Sequence, residues 1–206
     1  MNRLLLVLVA TLLLVAACSN PASDKPRAVA SDAAPAASPA AAGEKYSITP
    51  ENSDIEFIGA KVTGKHNGSF EKFSGEVNYA GQPEKSRVRI AIDIDSMTTD
   101  DAKLTAHLKT PDFFDAAKYP QSTFESTEIT AGGEGGATHT IKGNLTMHGV
   151  TKSITFPAKI AVAADAITVD STFAINRKDF GINYAGASDN LIRDDVVLTL
   201  RVRATK

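Results

Sequence analysis

The chain lacks tryptophan altogether and has one cysteine and four histidines in 206 residues. Each shortage excludes something. A single cysteine rules out a disulfide framework within the chain. The histidines, His66, His107, His139 and His148, form no HExxH pair and no close Cys/His cluster, so the spacing that marks a zinc site is missing and no metal is expected. There is no GxSxG elbow, so nucleophilic catalysis lacks its usual local signature and no catalytic residue is assigned. Nor is there an excess charge of either sign: 22 Lys and Arg stand against 24 Asp and Glu, a formal net charge of -2. Without a field of one sign, nucleic acid is not an expected partner. Aromatic residues make up only 6%, yet nine of them are phenylalanine. Phenylalanine supplies apolar surface without a polar atom that needs a partner, which favours apolar contact over polar readout. With 43% hydrophobic residues, the chain has enough for one domain with a real core.

What is present begins with the N-terminus. "MNRLLLVLVATLLLVAACSN" places Arg3 before an apolar run from Leu4 to Ala17, with small residues before Cys18. That is the layout of a secretory signal, and the run is short for a membrane span. "LVAAC" resembles the bacterial lipobox, in which the cysteine thiol accepts a diacylglyceryl group after cleavage; an ordinary signal with an incidental cysteine is the other reading. Lipidation accounts for a lone cysteine in an exported chain, where pairing would otherwise be open to it. Residues 1–17 are therefore expected to be a lipoprotein signal peptide and Cys18 the lipidated residue, held by several acyl chains. Ser19, rather than Asp, follows it, which favours the outer over the inner membrane of an exported bacterial lipoprotein facing the periplasm. Residues 18–44 are rich in Ala, Pro and Ser, with almost nothing to bury, and read as a disordered tether that holds the globular part, 45–206, away from the bilayer.

Past Tyr46 the dominant signal is alternation with period 2, the mark of strands with one buried face. In "SRVRIAIDIDSM", Val88, Ile90, Ile92 and Ile94 oppose Arg87, Arg89, Asp93 and Asp95. In "AITVDSTFAIN", Ile167, Val169, Phe173 and Ile175 oppose Thr168, Asp170, Thr172 and Asn176. In "DDVVLTLRVRATK", Val196, Leu198, Leu200 and Val202 oppose Thr199, Arg201 and Arg203. With the weaker patterns, about eight strands are counted, separated by turn signals in "HNGS", "AGQPEKS" and "GGEGG". One stretch departs from this, about 98–118, where Leu104, His107 and Leu108 recur at helical spacing. One or two short helices are expected there, capped by Thr98 or Thr99 and ended before Pro111. An all-β, antiparallel, eight-stranded barrel suits a meander with one helical crossover; an open sandwich is the alternative. The interior of such a barrel is just wide enough to be filled by side chains or to hold one slender ligand.

"GNLTMHGVTKSITF" looks at first like a histidine site. If His148 and Gly149 are a two-residue type I′ loop, Met147 faces Val150 and Leu145 faces Lys152, and apolar and polar residues separate onto opposite faces. His148 then reads as a turn residue. "NRKDFGINYAG" reads as a corner in which Arg177 bonds carbonyls or Asp179, or as part of a mouth. Phe113 and Phe114 in "TPDFFDAAKYP" read as a lid or as core plugs. The competing enzymatic reading would use His107, His148 or Asp179, and a ligand-free envelope-stress adaptor with a filled core is a third.

Together and in order, "ITPENSDIEF", "FEKFSGEV", "LKTPDFFDAAKYPQSTFEST", "GNLTMHGVTKSITF" and "INRKDFGI" resemble the YceI-like family of exported lipid-binding proteins, over Tyr46 to about Arg203. Many members carry a tryptophan and a histidine where this chain has Tyr46 and Lys61, which suggests a divergent branch. The resemblance implies a lipocalin-like antiparallel barrel with a helical segment across one end and a long apolar interior for a polyisoprenoid. It also implies a carrier without enzymatic activity, whose ligand would be an isoprenoid, a quinone-like lipid or a similar chain. The expected lining is Phe57, Phe73, Ile90, Ile92, Leu104, Phe113, Phe114, Phe124, Met147, Phe156, Phe173 and Phe180. Lys152, Arg177 and Asp179 are the expected headgroup or mouth residues. The expected partners are that lipid and the bacterial membrane through the N-terminal anchor, with a homodimer left open.

Overall fold

The alternating runs fold as eight long antiparallel strands. In the computed structural model, which describes residues 20–35, 43–188 and 190–206, three of these strands are broken once and continue in the same direction. β1 comprises Glu44–Ile48 and Asp54–Lys61, β2 Gly64–Phe70 and Phe73–Tyr79, and β3 Arg87–Asp93 and Met97–Thr99. The only α-helix among the described residues, α1 (Ala102–Leu108), leads across to β4 (Gln121–Ala131). Then come β5 (His139–Met147), β6 (Val150–Val162), β7 (Ala166–Asn176) and β8 (Asp195–Thr205). Each strand pairs with the next, and β8 returns to β1 through 197–201 against 54–58 and Thr205 against Ser47. The result is a closed antiparallel barrel, which leaves no long unpaired edge to template association.

The alternation is realised as drawn. Val88, Ile90, Ile92 and Ile94 face inward, as do Val169, Phe173 and Ile175 and, on β8, Val196, Leu198, Leu200 and Val202. Arg201 and Arg203 face solvent, where they pair with Glu56 at 2.7 Å and Asp165 at 3.6 Å.

The crossover is shorter than its sequence suggests and starts differently. Only one helix forms, and its N-cap is Asp101 rather than Thr98 or Thr99. The Asp101 carboxylate accepts from Lys103 N at 2.8 Å and Leu104 N at 3.1 Å. These two hydrogen bonds, Leu104 first, hold its carboxyl below the usual range. Thr98 and Thr99 instead end β3, where Thr99 pairs with Gly68. Residues 109–119 are turns, fixed by bonds such as Phe114 N to Leu108 O at 3.0 Å.

The hairpin at His148 forms in the expected register, with Met147 opposite Val150 and Leu145 opposite Lys152. His148 and Gly149 have φ of 51° and 74°, the double left-handed geometry that a type I′ loop requires. A Cβ on Gly149 would sit 2.4 Å from the Tyr119 ring, so glycine is needed for space as well as for conformation.

A departure from the sequence reading lies before β1. Cys18 and residues 36–42 lie outside the described residues, but 20–35, expected to be free tether, run along the barrel wall. The reason is in β6 and β7. Their ladder covers only residues 159–162 against 167–170. Beyond it stands Pro157, which has no N–H to give, and Ser171 Oγ donates to its carbonyl at 2.6 Å instead. In the gap above Pro157 the N-terminal segment takes the place of a ladder. Ser31 and Asp32 pair with Ser153 and Lys152. Ala28 N donates to Ala174 O, and Ala174 N to Pro26 O, both at 2.8 Å. Ala22 packs outside against Ala174, Val197 and Ile58, while Ala28 is buried in the main core.

Candidate functional site

The inward faces of all eight strands line one cavity of about 200 Å³. Its wall is aliphatic and aromatic from end to end, drawing on residues from Ile48 in β1 to Val202 in β8. A buried apolar surface of this shape stabilises an apolar occupant by taking it out of water, without needing a polar contact. One side of the wall carries linked rings. Phe124 meets Phe156 at 5.7 Å, and Phe156 stacks on Phe173 at 4.3 Å with an interplanar angle of 10°. Phe124 and Phe156 come from strands that flank β5, and Gly143 of β5 leaves the room for them. A Cβ there would lie 2.4 Å from the Phe124 ring. Opposite, Phe57 and Phe70 lie 5.6 Å apart, and a Cβ on Gly68 would lie 2.2 Å from the Phe57 ring.

The few polar residues that border the cavity are Lys61, His66, Ser122, Arg177 and Arg193. Apart from Ser122 at the start of β4, they sit at or near strand ends on the side of α1. There, Leu104 and Leu108 of α1 and Phe113 and Phe114 of the following turns close the barrel. The Phe113 ring contacts His107 and Tyr184 at 5.0 and 5.1 Å. A short hairpin, Gly186–Ala187 with Asn190–Leu191, leans on the β1–β2 turn through Val62 N to Leu191 O at 3.1 Å. His66 Nδ1 lies 2.7 Å from Asp100 Oδ1. Asp100 also accepts from Asn67 N at 2.9 Å, and these bonds, Asn67 first, hold its carboxyl below the usual range.

Comparison with known proteins places this geometry. A family model described as a YceI-like domain matches residues 46–204. The chain belongs to the YceI-like family. A UPF0312 protein of Pseudomonas putida (strain GB-1) is 32% identical over 136 residues, covering 63% of this chain and 70% of its own. Among solved structures, Burkholderia cenocepacia BcnA is 25% identical with a TM-score of 0.68, over 77% of this chain and 99% of its own. The Campylobacter jejuni YCEI protein is 27% identical with a TM-score of 0.57, over 68% and 84%. A third structure, a polyisoprenoid binding domain from Saccharophagus degradans implicated in plant cell wall breakdown, shares the fold at 19% identity and a TM-score of 0.62, over 78% and 97%.

Of the residues expected to line this YceI-like barrel, ten border the cavity: Phe57, Ile90, Ile92, Leu104, Phe113, Phe114, Phe124, Met147, Phe156 and Phe173. Two do not. Phe73 begins the second half of β2 opposite Ile92 and is packed within the core, short of the cavity. Phe180 belongs to the turn Arg177–Phe180 rather than to a strand, and it is fully buried in the core. The three expected mouth residues are not brought together. Lys152 lies at the β6–β7 gap, where it pairs with Asp32 at 3.2 Å. Asp179 is exposed on the turn and does not border the cavity. Arg177 borders it, but as a clamp: it donates to Ile182 O at 2.7 Å and Arg193 O at 3.2 Å, and pairs with Asp194 at 3.3 Å, not with Asp179. It is 4% exposed. Burial lowers its pKa from the ordinary value, an effect Asp194 partly offsets.

The residues proposed for an enzymatic reading are engaged separately. His107 Nε2 lies 2.8 Å from Asp112 Oδ2, and His148 Nδ1 lies 3.2 Å from Phe180 O, with the Tyr119 ring against it at 5.0 Å. Sequence reasoning missed Lys61, His66 and Arg193 as cavity residues. Lys61 ends β1 with the inward parity of Phe57 and Gly59, and His66 has that of Phe70, but no apolar alternation marks either position, and Arg193 lies outside the strands, before β8.

Proposed function

We propose that this protein is a non-enzymatic, membrane-tethered binder or carrier for a polyisoprenoid or similar long apolar lipid. The observation that carries this reading is the closed barrel whose eight strands all turn apolar side chains onto one cavity. Each methylene moved from water into such a wall contributes about 0.8 kcal/mol, so a long prenyl tail binds firmly without directed contacts. The structural relative described as a polyisoprenoid binding domain agrees with this ligand class. The tail would lie along the Phe124, Phe156 and Phe173 rings. A polar headgroup would remain at the α1 end, near Lys61, His66 and Arg193. The lipobox around Cys18 supports attachment to the periplasmic face of a bacterial membrane, the outer one because Ser19 rather than Asp follows it.

Solvent extraction of the purified protein followed by mass spectrometry tests the reading. A reproducible stoichiometric lipid is the expected result. A protein that yields no lipid and takes up none from prenyl alcohol or quinone micelles overturns it. Metabolic labelling with a palmitate analogue, lost on Cys18→Ser, tests the anchor separately.

A further inference from the structure

The barrel wall has one place where its own strands do not meet, and the chain that fills it leads directly back to Cys18. We propose that residues 26–34 are a displaceable wall strand, and that the upper β6–β7 gap they cover is a lateral port through which an apolar chain passes between cavity and bilayer. This rests on the lipid-binding and tethering reading above.

The gap is written into the sequence. Pro157 ends the β6–β7 ladder, and Ser171 caps its carbonyl. Above that point Phe156 and Phe173 keep the strands together only on the inside, through their stacked rings, which border the cavity. On the outside the closure is residues 26–34, with the turn Arg177–Phe180 against the start of β6 above them. Their inward contribution is two methyl groups, Ala28, buried in the core, and Ala30, partly buried against it. The barrel's own strands present branched aliphatic and aromatic side chains at such positions. Releasing the segment therefore uncovers little apolar surface of its own while opening a path to the rings behind it.

Besides its backbone bonds to Ala174 and its pairing with Ser153 and Lys152, the segment is held by side-chain bonds that are exposed or half-buried. Arg27 pairs with Asp195, Asp32 with Lys152, and the Asn144 amide makes two hydrogen bonds to the Ala34 backbone, at 2.9 and 2.8 Å. Anionic lipid headgroups attract Arg27 and Lys152 and so compete with their partners. Val29 alternates outward and is 72% exposed, an apolar side chain on the outer surface of the strap. The remaining link is length. Seven residues lie between Cys18 and Pro26, and the eight steps span at most about 29 Å of extended chain. An anchor on Cys18 thus holds the port close to the bilayer instead of holding the whole barrel away from it. The α1 end, by contrast, is covered by the helix, the turns after it and the Phe113, Tyr184 and His107 rings.

The test locks the strap. Ser31 and Ser153 are register partners on antiparallel strands, a spacing a disulfide can bridge. Ser153 Oγ is buried without a hydrogen-bond partner, so its replacement costs no bond. In the full chain carrying Cys18→Ser, Ser31→Cys and Ser153→Cys, uptake of a dansyl-labelled prenyl alcohol is followed from vesicles of phosphatidylcholine and phosphatidylglycerol. The oxidised protein should take up the probe about tenfold more slowly than the reduced protein, with dithiothreitol restoring the rate, as for other gated sites. Equal rates in the two states overturn the port and place entry at the α1 end. No uptake by either state, nor by the chain with serines at 31 and 153, overturns the lipid-binding reading itself. Asn144→Ala, which loosens the strap without introducing a bond, should accelerate uptake; an unchanged or slower rate counts against the port.

Discussion

β7 has two neighbours and is joined to them in different ways. On one side it is laddered to β8 along its whole length, Ala166 against Thr205 through Asn176 against Asp195. On the other it is laddered to β6 only at its start, 167–170 against 159–162, and above that it depends on a stacked ring pair inside and the N-terminal segment outside. A barrel can therefore be closed without being uniformly closed. The continuous side ties its stability to a backbone ladder that opens only with the fold, whereas the other side has a segment that can open by itself.

Breaking the interior of that contrast should have the largest effect. Phe173 is 1% exposed, pairs with Leu198 across the continuous side and stacks on Phe156 beneath the gap. Phe173→Ala should destabilise the protein by about 3–5 kcal/mol in urea unfolding, as for other buried phenylalanines. A loss under about 1 kcal/mol would mean that β6 and β7 are held from outside after all. Next comes Arg177, just past β7, which ties that strand to the residues leading into β8 through Ile182 O, Arg193 O and Asp194. Arg177→Ala leaves these acceptors without their donor, a loss of about 2–3 kcal/mol. Arg177→Lys should recover only part of it, because an ammonium cannot span the three acceptors.

Weakening the strap should give a smaller and more local effect. Asn144→Ala removes both amide bonds to Ala34 and should cost about 1–2 kcal/mol at most. Hydrogen exchange monitors this directly: Ala28 and Ala34 amides should speed up while those of β7 facing β8 do not. If both sets speed up together, the two sides of β7 form one cooperative unit and the contrast fails.

Much of this was legible in the sequence where a single physical rule governs. The pleat alone assigns Val88, Ile90, Ile92 and Ile94, and likewise Val196, Leu198, Leu200 and Val202, to one face, and "HG", two residues that tolerate positive φ, reads as a hairpin loop. The helix cap was not legible: Asp101 takes the place expected for Thr98 or Thr99 because β3 runs on through Thr99, which no local pattern reports. Cavity membership was less legible than inwardness. Phe73 and Phe180 are as buried as Phe57, yet which buried ring reaches the void depends on how neighbouring side chains fill the space. The strap was hidden for the opposite reason. Alanine, proline and serine cannot make a core alone, and composition cannot reveal a gap made by Pro157 more than a hundred residues later, in which small side chains are the ones that fit.

The smallest effect should come from the strap's exposed ion pair, and its smallness separates holding from steering. Asp32 lies 3.2 Å from Lys152, but its side chain is fully open to solvent, where water screens the attraction and ordering two side chains offsets most of what is left. Asp32→Ala should leave the unfolding curve unchanged in any buffer. Asp32→Lys places like charges together across the pair Asp32 and Lys152, which are register partners, and repulsion between exposed charges falls with ionic strength. Exchange at Ala28 and Ala34 should therefore quicken in Asp32→Lys at low salt and return toward the parent rate at high salt, with the β7–β8 amides constant throughout. A salt-independent change would mean that the substitution disturbs the Ser31 to Ser153 pairing itself, and that the strap is held by its backbone rather than trimmed by its charges.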